Sequence, residues 1–246
     1  MTGKSSQANL TSHTLSTNSL LFRVIEAYTR EDPIENLKAS FKTFELMETR
    51  RQLGEVTPDE RVYTTFMKAM TRGRAPGLHQ KAKVLLARMH KLYAEGNREI
   101  EPKNFSYNAA LNACAECVHI ENAPLGDAFK TALEIFTELR KSKVKADHVT
   151  YGNMLRCSRL LPEGEKRDKF VSATFRLCCD QGFMNDFVLR DLRESAGPDL
   201  LEELLGRNPD VDMYALPREW SRMLDTGGSK RNRDGNRGNT YRTYAG

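Results

Sequence analysis

The chain has no uninterrupted apolar run long enough to cross a membrane as a helix: the longest stretches are a few residues, where about 18 or more are needed. Glycine (16) and proline (9) are too scarce among 246 residues for a collagen-like or wholly unfolded chain. There is one tryptophan, Trp220. The cysteines number five, an odd count, and no secretory hydrophobic stretch precedes them, which argues against a disulfide framework and for a reducing compartment. Alternating β-branched runs are missing, so no strand signal competes with the helical ones. Also missing are a phosphate-cradling GxxxxGK[ST] loop, a GxSxG elbow and an HExxH pair; no enzyme and no cofactor is expected from the motifs.

What is present is a patchy charge distribution on a chain that is 39% hydrophobic and 29% charged, with a net charge of +5. Residues 57–103 hold ten basic and five acidic groups, and residues 187–228 hold five basic and nine acidic. Residues 229–246 carry Lys230, Arg231, Arg233, Arg237 and Arg242 against Asp234 alone, mixed with Gly, Asn and Tyr, and read as a disordered basic tail. Residues 1–18 are rich in Ser, Thr and Asn and read as a flexible N-terminus; acids are absent there as in an organelle transit peptide, but the first arginine is Arg23.

The chain also repeats itself. Residues 58–67, 102–111 and 146–155 align, and Tyr63, Tyr107 and Tyr151 fall 44 residues apart, as do Met67, Leu111 and Leu155. Tyr63, Phe66, Met67 and Met70 have the i, i+3, i+4, i+7 spacing of one helical face, and Tyr107, Ala110, Leu111, Cys114 and Tyr151, Met154, Leu155, Ser158 occupy the same places. Thr57 and Glu60 have capping-box spacing. A second helix follows each first one: residues 80–93 with Val84, Leu85, Met89 and Leu92 on one face, residues 127–141 with Ala132, Ile135, Phe136 and Leu139, and residues 166–179 with Phe170, Val171, Thr174, Phe175 and Cys178. Breaker-rich turns separate the partners. An earlier pair is expected at Ser19–Thr29 and Ile34–Arg51, with Phe41, Phe44 and Met47 facing in. Residues 187–194 open a further helix, and Leu200–Leu205 form a short one. The expectation is an all-α protein, an α-α superhelical solenoid of about four helical hairpins. Its repeats span 19–194, in units near 19–59, 60–103, 104–147 and 148–186, with a C-terminal cap region at 195–228. Each unit is about 35 residues plus an insertion.

Cys114-Ala115-Glu116-Cys117 with His119 close by has three of the ligand types of a zinc site, but no second pair completes a tetrahedral set, and Cys114 sits on the core face. A structural thiol is the expected reading.

Asp147-His148-Val149-Thr150-Tyr151, Phe105-Ser106-Tyr107-Asn108-Ala109-Ala110-Leu111 and the helix Ala132–Leu139 resemble the pentatricopeptide-repeat family over roughly residues 34–190. The resemblance implies single-stranded RNA binding, about one base per repeat, as an accessory in RNA processing, stability or translation in a mitochondrion or plastid; a cytoplasmic location is the alternative. It pairs the residue after each tyrosine with the last residue of the repeat: Thr64 with Lys103, Asn108 with Asp147, and Gly152 with Asp186. Of these, Asn108 with Asp147 fits the family pattern, where it implies uracil. Lys103 and Gly152 depart from it. The family's base-sandwiching positions fall on Arg61, Phe105 and Val149. One turn further, Lys68, Asn112 and Arg156 share the face, with Lys68 and Arg156 as expected phosphate contacts. Stacking at roughly 1–3 kcal/mol per base over three units compares with about 8 kcal/mol for a micromolar complex, so weak or poorly selective binding is expected. The other reading is a protein–protein scaffold, in which the same surface takes a peptide or helix.

Overall fold

The computed structural model describes residues 35–206 and 210–224. Every regular element among them is helical: α1 (Glu35–Gln52), α2 (Glu60–Arg72), α3 (Leu78–Ala94), α4 (Asn104–Ala115), α5 (Leu125–Lys141), α6 (His148–Cys157), α7 (Glu165–Gln181), α8 (Asp186–Ser195) and α9 (Pro198–Leu205), with short 3-10 turns between some of them. The expected helix at Ser19–Thr29 lies outside the described residues, as does the tail at 229–246.

Helices α2, α4 and α6 begin 44 residues apart, at Glu60, Asn104 and His148. Asp59 caps α2 by accepting the Val62 N–H at 3.1 Å, and Asp147 caps α6 by accepting the Thr150 N–H at 2.9 Å. The cap of α2 is thus the aspartate that immediately precedes the helix, as an acceptor of backbone N–H groups at that place should be, and not Thr57 of the capping-box spacing. These helices pack in chain order: α2 on α4, α4 on α6, α6 on α8. Behind them α3 packs on α2 and α4 and touches α5, while α5 packs on α4. Helix α1 lies against α2, where Phe44 stacks on Phe66 and meets Tyr63 edge-on, with centroids 4.1 and 5.2 Å apart.

The apolar faces read from helical spacing are buried or, at Phe41, Phe136 and Phe170, partly buried, and one residue departs from this. Tyr63, Met67, Met70, Tyr107, Leu111, Cys114 and Leu155 are essentially inaccessible. Val84 is 66% exposed. The inward stripe of α3 runs instead through Leu78, Ala82, Leu85, Leu86, Met89 and Leu92. Residues 84 and 85 are about 100° apart on a helix, so Leu85 can face in while Val84 faces out. Ser158 is buried as expected but belongs to the 3-10 turn after α6.

Two apolar clusters result. The first runs from α1 through α5 to Met154, Cys157 and Leu160; the second gathers Tyr151, Leu155, Val171, Phe175, Val188, Leu192, Leu200 and Leu216, and Phe136 and Ala146 touch both. Residues 216–224 fold back on α7. Trp220 meets Phe175 edge-on, its carbonyl accepts the Met184 N–H at 2.8 Å, and the Met223 N–H donates to the Gly182 carbonyl at 3.0 Å. Gly182 ends α7 at φ 78°, a left-handed conformation where a side chain would be strained, and the Arg222 stem lies 2.5 Å from where its Cβ would stand.

Candidate nucleic-acid interface

The candidate residues lie on α2, α4 and α6, from their capping residues to about two turns along, and at the start of α8; the packing sets these helices side by side. Polar groups knit the helices together. Ser106 on α4 donates to Glu60 of α2 at 2.6 Å, and Thr64 donates to the same carboxylate at 2.8 Å. Thr64 is thereby buried between two helices. From α4 to α6, the Asn108 amide donates to Asp147 Oδ1 at 3.0 Å, its carbonyl accepts the Thr150 hydroxyl at 2.8 Å, and the Asn153 amide donates to the Asn108 backbone carbonyl at 3.0 Å. The structure therefore brings Asn108 and Asp147 together across 39 residues of sequence.

Asp147 serves several donors at once. Asn104 reaches its Oδ2 at 2.8 Å, while Oδ1 accepts from Asn108 and from the Thr150 N–H and hydroxyl. Burial pushes its pKa up, but these donors outweigh burial and hold the carboxyl below its usual range. Asn108 is only 7% exposed. The pair is first a helix cap and an interhelical clasp, and of the two amide hydrogens of Asn108 one is committed to Asp147.

Phe105 has the opposite character. It sits in the first turn of α4, 67% exposed, two residues from the fully buried Tyr107. Val149, its counterpart on α6, is half-buried, and Arg61 on α2 is exposed. Lys103 is exposed at the N-cap of α4, where it supplies no side-chain cap. Since Asp59 and Asp147 do cap the sister helices, Lys103→Asp is expected to stabilise the protein by about 1 kcal/mol. Urea denaturation measures this, and an unchanged or lowered midpoint contradicts it.

The third pair does not come together as a reader. Gly152 is buried, and a Cβ built on it would stand 2.4 Å from the Phe187 ring and 2.7 Å from Asp191 Oδ2. Glycine stands there because α8 approaches closely. Asp186, exposed at the start of α8, has no reading partner at Gly152, where Phe187 takes the space. Asp191 is buried with Oδ2 unpartnered; burial pushes its pKa up against the pull of Arg190.

One turn along, Asn112 and Arg156 do meet: Arg156 donates to Asn112 Oδ1 at 2.6 Å and to Asn153 Oδ1 at 3.4 Å, and it pairs with Glu116. Its charge is thus spent within the protein. Lys68 on α2 is exposed.

The cysteines lie inside the fold. All five are free and buried. Burial pushes their thiols up, Cys157 and Cys179 to about 12. The neighbour of Cys117 is His79, with Nδ1 3.6 Å from Sγ, and not the His119 that sequence proximity suggested. His79 and Cys117 line a cleft of about 140 Å³, and His79 Nε2 has no hydrogen-bond partner. Among the described residues, no group of three or more His, Cys, Asp or Glu side chains is placed to hold a metal ion, and no helix is long and apolar enough to cross a membrane.

No protein-family model, curated protein or solved structure matches the chain.

Proposed function

We propose that this chain is a helical-repeat protein of the pentatricopeptide kind that binds single-stranded RNA along the first turns of α2, α4 and α6, in an accessory role in RNA processing, stability or translation. The observation that carries the reading is Phe105. A large aromatic ring left 67% exposed at a helix start, beside a polar clasp built from Asn108 and Asp147, is the kind of platform on which an unpaired base stacks. The packing of α2, α4, α6 and α8 in chain order supports a solenoid arrangement, and Arg61 and Lys103 add cationic groups along the same turns, with Lys68 about two turns into α2.

The geometry also supports modest selectivity. Asn108 spends its carbonyl and one amide hydrogen internally, Thr64 is committed to Glu60, and Gly152 is covered by Phe187. Stacking and charge then supply most of the affinity, and a preference for uracil rests on the remaining amide hydrogen of Asn108. A filter-binding titration with an oligouridylate tests this. Phe105→Ala is expected to weaken binding by about 1–3 kcal/mol. Asn108→Ala is expected to narrow the difference between oligouridylate and oligoadenylate. Superimposable curves for the wild type and both variants reject the reading. Recovery of a protein partner on this face after nuclease treatment favours a scaffold instead.

A further inference from the structure

The segments leading into α4 and α6 alternate in exposure. Ile100 and Pro102 are buried while Glu101 and Lys103 face solvent; Val144 and Ala146 pack inward while Lys143 and Lys145 face solvent. Extended chain sends successive side chains to opposite sides, so the two inward positions in each segment fix the outward ones. Lys103 and Lys145 consequently stand at the edge where α4 and α6 begin. Asn104 ties the two segments together, its amide donating to the Lys145 carbonyl at 3.4 Å and to Asp147 Oδ2 at 2.8 Å. The next residue is the exposed Phe105.

Two further facts single out this edge. First, Lys103 occupies a position where the sister helices carry a capping aspartate, and it gives no cap in return. A residue that breaks a local helix rule without a packing gain points to a task for its charge. Second, the cation expected to meet phosphate one turn deeper, Arg156, is held by Glu116, Asn112 and Asn153.

We propose that a bound single strand lays its phosphates along this outer edge, against Lys103 and Lys145 with Phe105 beside them, and not against Arg156. The assignment rests on the RNA reading above and specifies where that strand's backbone runs.

Salt dependence tests it, because each phosphate contact on a single strand contributes a slope of about 0.7 in log K against log salt. Binding of a fluorescent oligouridylate to the full chain is measured between about 50 and 200 mM salt. Lys103→Ala combined with Lys145→Ala is expected to make the slope shallower by about 1.4, two contacts' worth. Arg156→Lys, which keeps a cation in place of the held guanidinium, is expected to leave the slope unchanged. A double variant with the wild-type slope overturns the assignment, as does a change of slope in Arg156→Lys. Wild-type protein that leaves the oligomer unbound removes the RNA reading and the assignment together. Binding by the wild type with an unaltered slope in the double variant removes the assignment alone.

Discussion

Gly152→Asn, which places a polar side chain at the position the resemblance pairs with Asp186, is expected to destabilise the protein by about 3 kcal/mol and to add no base selectivity. The new Cβ would stand 2.4 Å from the Phe187 ring and 2.7 Å from Asp191 Oδ2, closer than side-chain atoms approach. Neither neighbour yields easily. Phe187 is covered by the Arg190 guanidinium, 4.7 Å from its centroid, and Asp191 is buried in the α6–α8 interface. Overpacking of this kind costs roughly 1–3 kcal/mol, and here a polar amide is added to a buried place. Urea denaturation reads the loss. Adding Phe187→Ala opens the space, so the double variant is expected to lose less than the sum of the two single changes. Additive losses, or a Gly152→Asn protein as stable as the wild type, contradict this account.

The second large effect contrasts two aromatic residues of α4. Tyr107→Ala is expected to cost about 4 kcal/mol, within the range for truncating a fully buried aromatic side chain. Its ring is inaccessible, and its hydroxyl lies 3.0 Å from His90 Nε2 and 3.3 Å from Glu138 Oε1, joining α4 to α3 and α5. Burial pushes that hydroxyl up to about 12, with the Glu138 charge adding to the shift, so it remains a neutral donor at ordinary pH. Phe105→Ala, two residues earlier, removes a ring that is mostly in solvent and is expected to change stability by no more than about 0.5 kcal/mol. The two midpoints, measured side by side, check the contrast. Similar losses at both positions would mean that Phe105 is a packing residue, and its place on the proposed binding face would have to be given up.

The same helix illustrates what a reader of the sequence could see. The starts of α2, α4 and α6 were legible because each carries a local signature, a proline or alanine followed by a capping-type position and a tyrosine at fixed spacing. Which residues face inward was mostly legible too, since the apolar period of a helix is a local property. Val84 escaped because in α3 several adjacent apolar residues support more than one stripe. The Asn108–Asp147 pair apart, what stayed hidden is mostly contact with partners a repeat away. The family resemblance pairs Gly152 with Asp186 but does not say that Phe187 arrives opposite Gly152. Spacing places Arg156 near Asn112 but gives no sign that Glu116 claims its charge. It offers His119 to Cys117, whereas the fold supplies His79 from the start of α3. Lys145, Asn104 and Asn153 carried no repeat signal, since the positions 44 residues away hold Glu101, His148 and Ala109.

The placement of the sulfurs has a practical consequence. Cys114, Cys117 and Cys157 belong to the apolar cluster that runs from α1 to the end of α6, and Cys178 and Cys179 to the one that closes on Trp220. None is open to solvent, and each thiol is held in its unreactive protonated form. An alkylating reagent therefore reports opening of the fold rather than surface chemistry. Mass spectrometry of the labelled chain then distinguishes two ways of melting: additions of three or of two mark halves that come apart independently, and additions of five mark a molecule that opens as one.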